Sequence, residues 1–222
     1  MPINADYRGP GDLPEVIPVF PLPGALLLPR GQMPLNIFEP RYLNMIDDAM
    51  ASERMIGMVQ PAAGGDPERP SLSAVGCLGR ITSFAETSDG RYLITLTGLC
   101  RFGVGEELPS RMPYRQVRAH YDLFDADMSA APQDEGFDRL RLLAALKAYL
   151  TRHALEVDWE AAKEAPGEAL INSLAMALPF EPAERQALLE APDFSGRRET
   201  LIALMEIDAA DRSDDDDAHW MQ

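Results

Sequence analysis

Residues 73–104 read SAVGCLGRITSFAETSDGRYLITLTGLCRFGV, two long runs of alternating apolar and polar residues with Asp89-Gly90 between them. Such a stretch is built to fold back on itself. Asp-Gly accepts the positive φ that a two-residue hairpin turn requires, and period-two alternation gives each strand one apolar face. With Asp89 and Gly90 as the turn, Ser88 faces Arg91. That register sets Ala85 against Ile94, Ile81 against Gly98, Cys77 against Phe102 and Val75 against Val104, all on one side with Leu96 and Cys100. The other face carries Arg80, Thr82, Glu86, Thr95, Thr97 and Arg101, interrupted by Leu78 and Phe84.

Shorter β signals surround this hairpin. Val16 to Phe20 reads as a strand, with Pro18 confining it to a sheet edge or a non-donating position. Residues 21–33 read as a loop punctuated by Pro21, Pro23, Gly24, Pro29 and Gly31, and Leu35 to Phe38 as a second strand. Pro40 opens a helix, since proline at the first helical position costs no hydrogen bond; Leu43, Ile46 and Met50 then recur at helical spacing. Arg54 to Val59 is a third strand, Gln60 to Pro70 a loop, and Tyr114 to Tyr121 a last strand. The expectation for residues 13–124 is an antiparallel, barrel-like β domain of six strands and one helix.

Near Ala130 the pattern changes. A linker over 125–135 leads into helical periodicity over 136–210, with Phe137, Leu140, Leu143, Leu146 and Leu150 as one apolar stripe. GEALINSLAMAL, PAERQALLEA and RRETLIALMEID give three further helices, short enough and closely enough connected for a compact bundle. Residues 1–12 read as a flexible arm and 211–222, with Asp214 to Asp217, as an acidic disordered tail.

The formal net charge is −16, which repels phosphate backbones and makes nucleic acid a poor partner. Cys77 and Cys100 form no C-x-x-C and read as two small buried residues of a reducing compartment, with a redox pair as the alternative. The N-terminus lacks the basic start and apolar run of a signal peptide, and Leu26 to Leu28 is too short to span a bilayer, so a cytoplasmic protein without membrane attachment is expected. Walker, G-x-G-x-x-G, H-E-x-x-H and G-x-S-x-G signatures are absent, and lysine occurs only at Lys147 and Lys163, which leaves no Ser–Lys dyad. No catalytic, metal or cofactor residue is expected, and a small-molecule enzyme is the least favoured class.

The order PVFPLPGALLLPRGQMPLNIFEPRY, RMIGMVQP, GCLGRITSFAETSDGRYLITLTGLCRFGV and, in the helical half, LAMALPFEPAERQALLEAPDFSGRRETLIALMEI resembles the Lon substrate-binding domain, the N-terminal domain of the ATP-dependent protease Lon. The resemblance covers residues 13–210. It implies an α+β fold, a PUA-like six-stranded pseudo-barrel followed by a C-terminal helical bundle. It also implies a non-catalytic polypeptide-binding or adaptor module, whose partners are unfolded or apolar protein segments or a protease. A PUA-like nucleic-acid-binding module is the alternative, which the charge disfavours. Leu26, Leu27 and Leu28, held by flanking prolines, are the candidate polypeptide-contact loop; the alternative is that they plug the barrel. Glu39, Pro40, Arg41 and Tyr42 form a motif read as structural, through helix capping or an ion pair.

Overall fold

The computed structural model describes residues 7, 9–66, 69–129 and 137–210, so the expected acidic tail and most of the expected arm and linker lie outside the described residues. The strands are β1 (Val16–Pro21), β2 (Gln32–Ile37), β3 (Met55–Asp66), β4 (Arg69–Glu86), β5 (Tyr92–Glu107) and β6 (Arg115–His120). The helices are α1 (Pro40–Ala51), α2 (Arg139–His153), α3 (Trp159–Glu164), α4 (Gly167–Ala177), α5 (Pro182–Glu190) and α6 (Phe194–Ala210). The chain divides into two compact units, one of Met1–Ala130 with Pro179–Leu189 and one of Ala131–Leu178 with Glu190–Gln222. The expected bundle thus gives up one segment: α5 groups with the strands. Among the described residues no helix is long and apolar enough to cross a membrane.

In the first unit the sheet runs β2-β5-β4-β3-β1-β6 and closes through a further pairing of β5 with β6. The length of β5 makes this possible. Its first half pairs with β2, from Ile37↔Tyr92 to Gln32↔Thr97, and its second half pairs with β6 at Gly103↔His120 and Val104↔Ala119. Closure pairs the outer edge of β6, while β2, which pairs with β5 alone, stays at the edge of the sheet. The sheet is mixed rather than wholly antiparallel, because β1 runs parallel to β3 over Val19↔Gly57 to Pro21↔Val59. The crossover through β2 and α1 supplies the length that a parallel connection needs. β1 is also interior, between β3 and β6, and Pro18 falls just before the β3 ladder begins, so its missing N–H takes nothing from that ladder. Ile17, Val19, Leu78, Cys100, Phe102 and Val117 fill the interior.

The central hairpin forms with a different turn. Thr87 N donates to Arg91 O at 2.9 Å and Gly90 N to Thr87 O at 3.0 Å, which leaves Ser88, Asp89 and Gly90 as a three-residue loop. Gly90 alone in it has positive φ, +79°. The Thr87 hydroxyl decides the matter: it accepts from Arg91 N and has Asp89 Oδ1 and Arg91 O as the two acceptors within reach of its one proton, closing a loop that a two-residue turn would not contain. The expected pairs of Ala85, Cys77 and Val75 shift by one, to Leu93, Arg101 and Gly103, and between the bulges after Leu78 and Ile81 the shift is two, so Ile81 meets Leu96. Alternation on β5 survives this, with Ile94, Leu96, Gly98, Cys100 and Phe102 buried. On β4 residues 76–81 are buried on both faces, while Ala85 is exposed. Arg80 and Arg101, expected on the solvent face, are buried too.

The expected loop Gln60 to Pro70 is largely strand. β3 continues to Asp66 and β4 begins at Arg69, with register shifts on either side of Pro61 absorbing the residues that cannot donate. In α1 the buried positions are Tyr42, Met45, Ile46 and Ala49, so only Ile46 of the expected stripe faces fully inward.

In the second unit Asp138 caps α2 by accepting from Arg141 N, and Ala154 closes it in the left-handed region. The inward stripe is Leu142, Ala145, Leu146, Tyr149 and Leu150; Leu140, expected there, is 81% exposed. α2 packs on α6, whose Leu201, Ile202 and Met205 are buried. Arg141 reaches across to Glu199 and Glu206. α3 had no counterpart in the sequence reading, although Asp158 caps it with bonds from Glu160 N and Ala161 N.

Candidate binding groove

The leucine loop and the FEPRY motif meet opposite fates. Leu26, Leu27 and Leu28 are 1%, 1% and 0% exposed, so their side chains belong to the core and offer no contact surface. Backbone bonds clamp the loop onto β5: Arg30 N donates to Gly98 O at 2.8 Å and Gly98 N to Gly31 O at 2.9 Å. The fit depends on absent side chains. A Cβ on Gly98 would lie 2.1 Å from Leu28 O, and one on Gly79 would lie 2.8 Å from Leu27 Cδ2. The Arg30 side chain reaches Asp127 O, part of the 3-10 turn Asp125–Met128. Asp127 in turn accepts from Arg101 N, Nε and Nη2 at 2.8–3.0 Å, and Arg101 Nη1 donates to Leu189 O at 3.0 Å.

At the motif, Glu39 is the residue before α1 but makes no side-chain cap; it pairs instead with Arg41 at 2.8 Å. Pro40 is the first helical residue. Tyr42 is buried against Phe20, ring centroids 4.1 Å apart, with the Arg41 guanidinium 4.6 Å from its ring. Burial pushes the Tyr42 hydroxyl pKa up.

Arg41 and Tyr42 also line a cavity of about 420 Å³ beside the loop. Its walls come from the end of β1 (Pro21, and Pro23 beyond it), the start of α1, Pro61 of β3, the start of β4 (Arg69, Pro70) and the segment Leu108 to Arg115. Pro21, Pro23, Pro61, Pro70 and Pro113 carry no N–H, so these positions of the wall offer ring carbons and carbonyl acceptors but no backbone donor. Met112 lies along it 51% exposed. Tyr114 donates to Asp48 Oδ2 at 2.7 Å, and burial together with that bond pushes its pKa up to about 12. A second depression, of about 360 Å³, shares Arg69, Pro70, Glu107 and Arg115 with the first. The two are joined across an ionic bridge in which Glu107 accepts from both Arg115 and Arg69. The Arg115 bonds, followed by those from Arg69, hold the Glu107 carboxyl below its usual pKa.

This lining is suited to holding a ligand. Ser110 Oγ donates to Gln116 Oε1 rather than to a base. Cys100, buried and bonded to Arg101 O and Phe124 O, has its thiol pushed up to about 12 by burial, and Cys77 is buried as well. Among the described residues no group of three or more His, Cys, Asp or Glu could hold a metal ion. Sequence reasoning singled out Arg41 and Tyr42 only as part of a structural motif and did not reach Arg69, Met112 or Arg115. The prolines at 109 and 113 are the one signal that the sequence carries there.

The family model described as the ATP-dependent protease La (LON) substrate-binding domain matches residues 16–206. Among curated proteins, "Lon protease 2" of Myxococcus xanthus is 28% identical over 210 residues, 87% of this chain and 24% of that protein. "Lon protease" of Roseiflexus castenholzii is 26% identical over 204 residues, 90% of this chain and 25% of that protein. The chain therefore spans about a quarter of the length of these relatives. Among solved structures, the Lon N-terminal domain protein from Xanthomonas campestris superposes with a TM-score of 0.58 at 23% identity, covering 85% of this chain and 97% of that one. The N-terminal domain of Mycobacterium avium complex Lon protease gives 0.59 at 19% identity, covering 86% and 98%. The α+β Lon N-terminal fold expected from the motifs is the fold observed.

Proposed function

Since this chain belongs to the ATP-dependent protease La (LON) substrate-binding domain family, we propose that it is a polypeptide-binding module and that its binding site is the proline-walled groove between α1 and the segment Leu108 to Arg115. The groove carries the proposal: about 420 Å³ of concave surface with exposed Met112, ringed by groups that bind rather than react. A cavity of that size takes one or two apolar side chains of an extended segment. Its proline walls are already rigid, so little conformational entropy is lost when a segment docks. The partner class is an unfolded or apolar protein segment. Handing that segment to a protease is the adaptor form of the same reading.

The test is fluorescence anisotropy with labelled peptides of unfolded proteins. Met112→Ser removes apolar wall and is expected to weaken binding about fivefold, while Leu140→Ser, at an exposed leucine of the second unit, leaves it unchanged. Equal weakening by both variants, or no preference for apolar over polar peptides, would refute the groove. A pull-down with the wild-type chain and Met112→Ser then tests the adaptor form. One protease enriched only by the wild type supports it, and loss of unfolded chains without loss of any protease counts against it.

A further inference from the structure

We infer that the groove selects segments in which an apolar residue is flanked by side-chain carboxylates, an inference that rests on the groove being the binding site. The chain as a whole is strongly acidic, at −16, yet the groove lining carries Arg41, Arg69 and Arg115 against Glu107 as its one carboxylate. The local sign is reversed. Glu107 is shared between two guanidinium groups, and one carboxylate can neutralise one of them. Among the described residues the ion-pair partner of Arg41 is the exposed Glu39, and the Arg69 side chain is 67% exposed. Exposed pairs of this kind are worth little and exchange readily for a carboxylate brought by a ligand. Guanidinium is suited to that exchange because its planar fork takes a carboxylate through two parallel bonds.

Geometry favours side-chain carboxylates over a chain terminus. The three arginines stand on separate elements, α1, β4 and β6, and Arg69 and Arg115 also border the second depression. A segment lying along both depressions crosses the arginine bridge midway and meets positive charge at more than one point. A single terminal carboxylate could satisfy only one of these. Proline walls offer no backbone N–H for anchoring an anion, so the guanidinium groups carry the recognition. The apolar residue fills the space beside Met112 and Tyr42.

The experiment uses the full chain and three labelled peptides of equal length, amidated at the C-terminus, with one apolar core flanked by Glu, by Gln or by Lys. The Glu peptide is expected to bind about tenfold more tightly than the Lys peptide at low salt. That ratio should shrink as salt shortens the screening length, and Arg41→Gln, at an exposed position where folding is not at stake, should shrink it too. Equal affinity for Glu and Lys peptides would overturn the inference and leave the groove standing. So would a Gln-flanked peptide with a free C-terminus that bound as tightly as the Glu peptide. Failure of all three peptides to bind would overturn the groove itself.

Discussion

Replacing Gly98 by alanine should cost far more than the single methyl group suggests. The new Cβ would lie 2.1 Å from Leu28 O, 2.8 Å from Leu28 C and 3.3 Å from Pro29 Cα, all backbone atoms. No rotamer change relieves that, so the loop must lift by more than an ångström. Lifting it strains the bonds between Arg30 N and Gly98 O and between Gly98 N and Gly31 O, each worth about 1 kcal/mol net. It also begins to uncover Leu26, Leu27 and Leu28, each at most 1% exposed, and full burial of such a side chain is worth about 1.5–3 kcal/mol. Partial unseating puts the expected loss at about 3–5 kcal/mol. Gly79→Ala is the matched control: its Cβ would meet the terminal Cδ2 of Leu27 at 2.8 Å. A side-chain tip can turn aside, so about 1–2 kcal/mol is expected there.

The assay must see the first unit by itself. Trp159 starts α3, in the second unit, so its fluorescence reports the wrong part of the chain. Hydrogen exchange at the Arg30 and Gly98 amides, followed through a urea series, reads the loop directly. Loss of protection at both amides in Gly98→Ala, with a much smaller loss in Gly79→Ala, is the expected result. A Gly98→Ala protein within about 1 kcal/mol of wild type would refute the close-approach argument, because no rearrangement that small clears a 2.1 Å contact.

Asp127→Ala leaves Arg101, 3% exposed, buried without its carboxylate, and should destabilise the first unit by about 3–5 kcal/mol in urea; Arg101→Met with Asp127→Leu should recover part of that. Glu107 has a lowered pKa in the folded chain, so its pairing stabilises above the unfolded value of about 4.3 and is lost as pH falls through the folded one. Glu107→Gln should accordingly flatten the acid limb of the melting temperature below about pH 4, and an unchanged limb would place the acid sensitivity elsewhere. Cys100, with its thiol pushed up to about 12, should resist alkylation in the native chain at pH 8 and react once urea exposes it; fast native labelling at Cys100 would contradict its burial.

What the sequence made legible followed from local chemistry. Pro40 as the first residue of α1, the hairpin around Gly90 and the limits of α4 and α5 each rest on one residue type whose backbone preference is strong. The failures came where distant side chains compete. Thr87 reset the register by one through hydroxyl bonds that no propensity encodes. Arg101 counts as polar in any pattern, yet Asp127, 26 positions on, makes it core. Leu140 fits a helical stripe but lies off the face that α6 covers.

The leucine loop turns on the same kind of competition. An apolar run between prolines offers two fates, plug or contact surface, and which one holds depends on what lies beneath the loop. Here it is glycine: Gly79 and Gly98 lower the floor of the sheet enough for Leu27 and the Leu28 backbone to sink into it. Once the leucines are spent on the core, the prolines around them are what remains at the surface, and Pro21 and Pro23 become groove wall. The two roles are therefore coupled. Lifting the loop by Gly98→Ala should disturb peptide binding at the Pro21–Pro23 wall, although Gly98 does not line the groove. Peptide affinity that survived the loss of loop protection would separate the plug from the site.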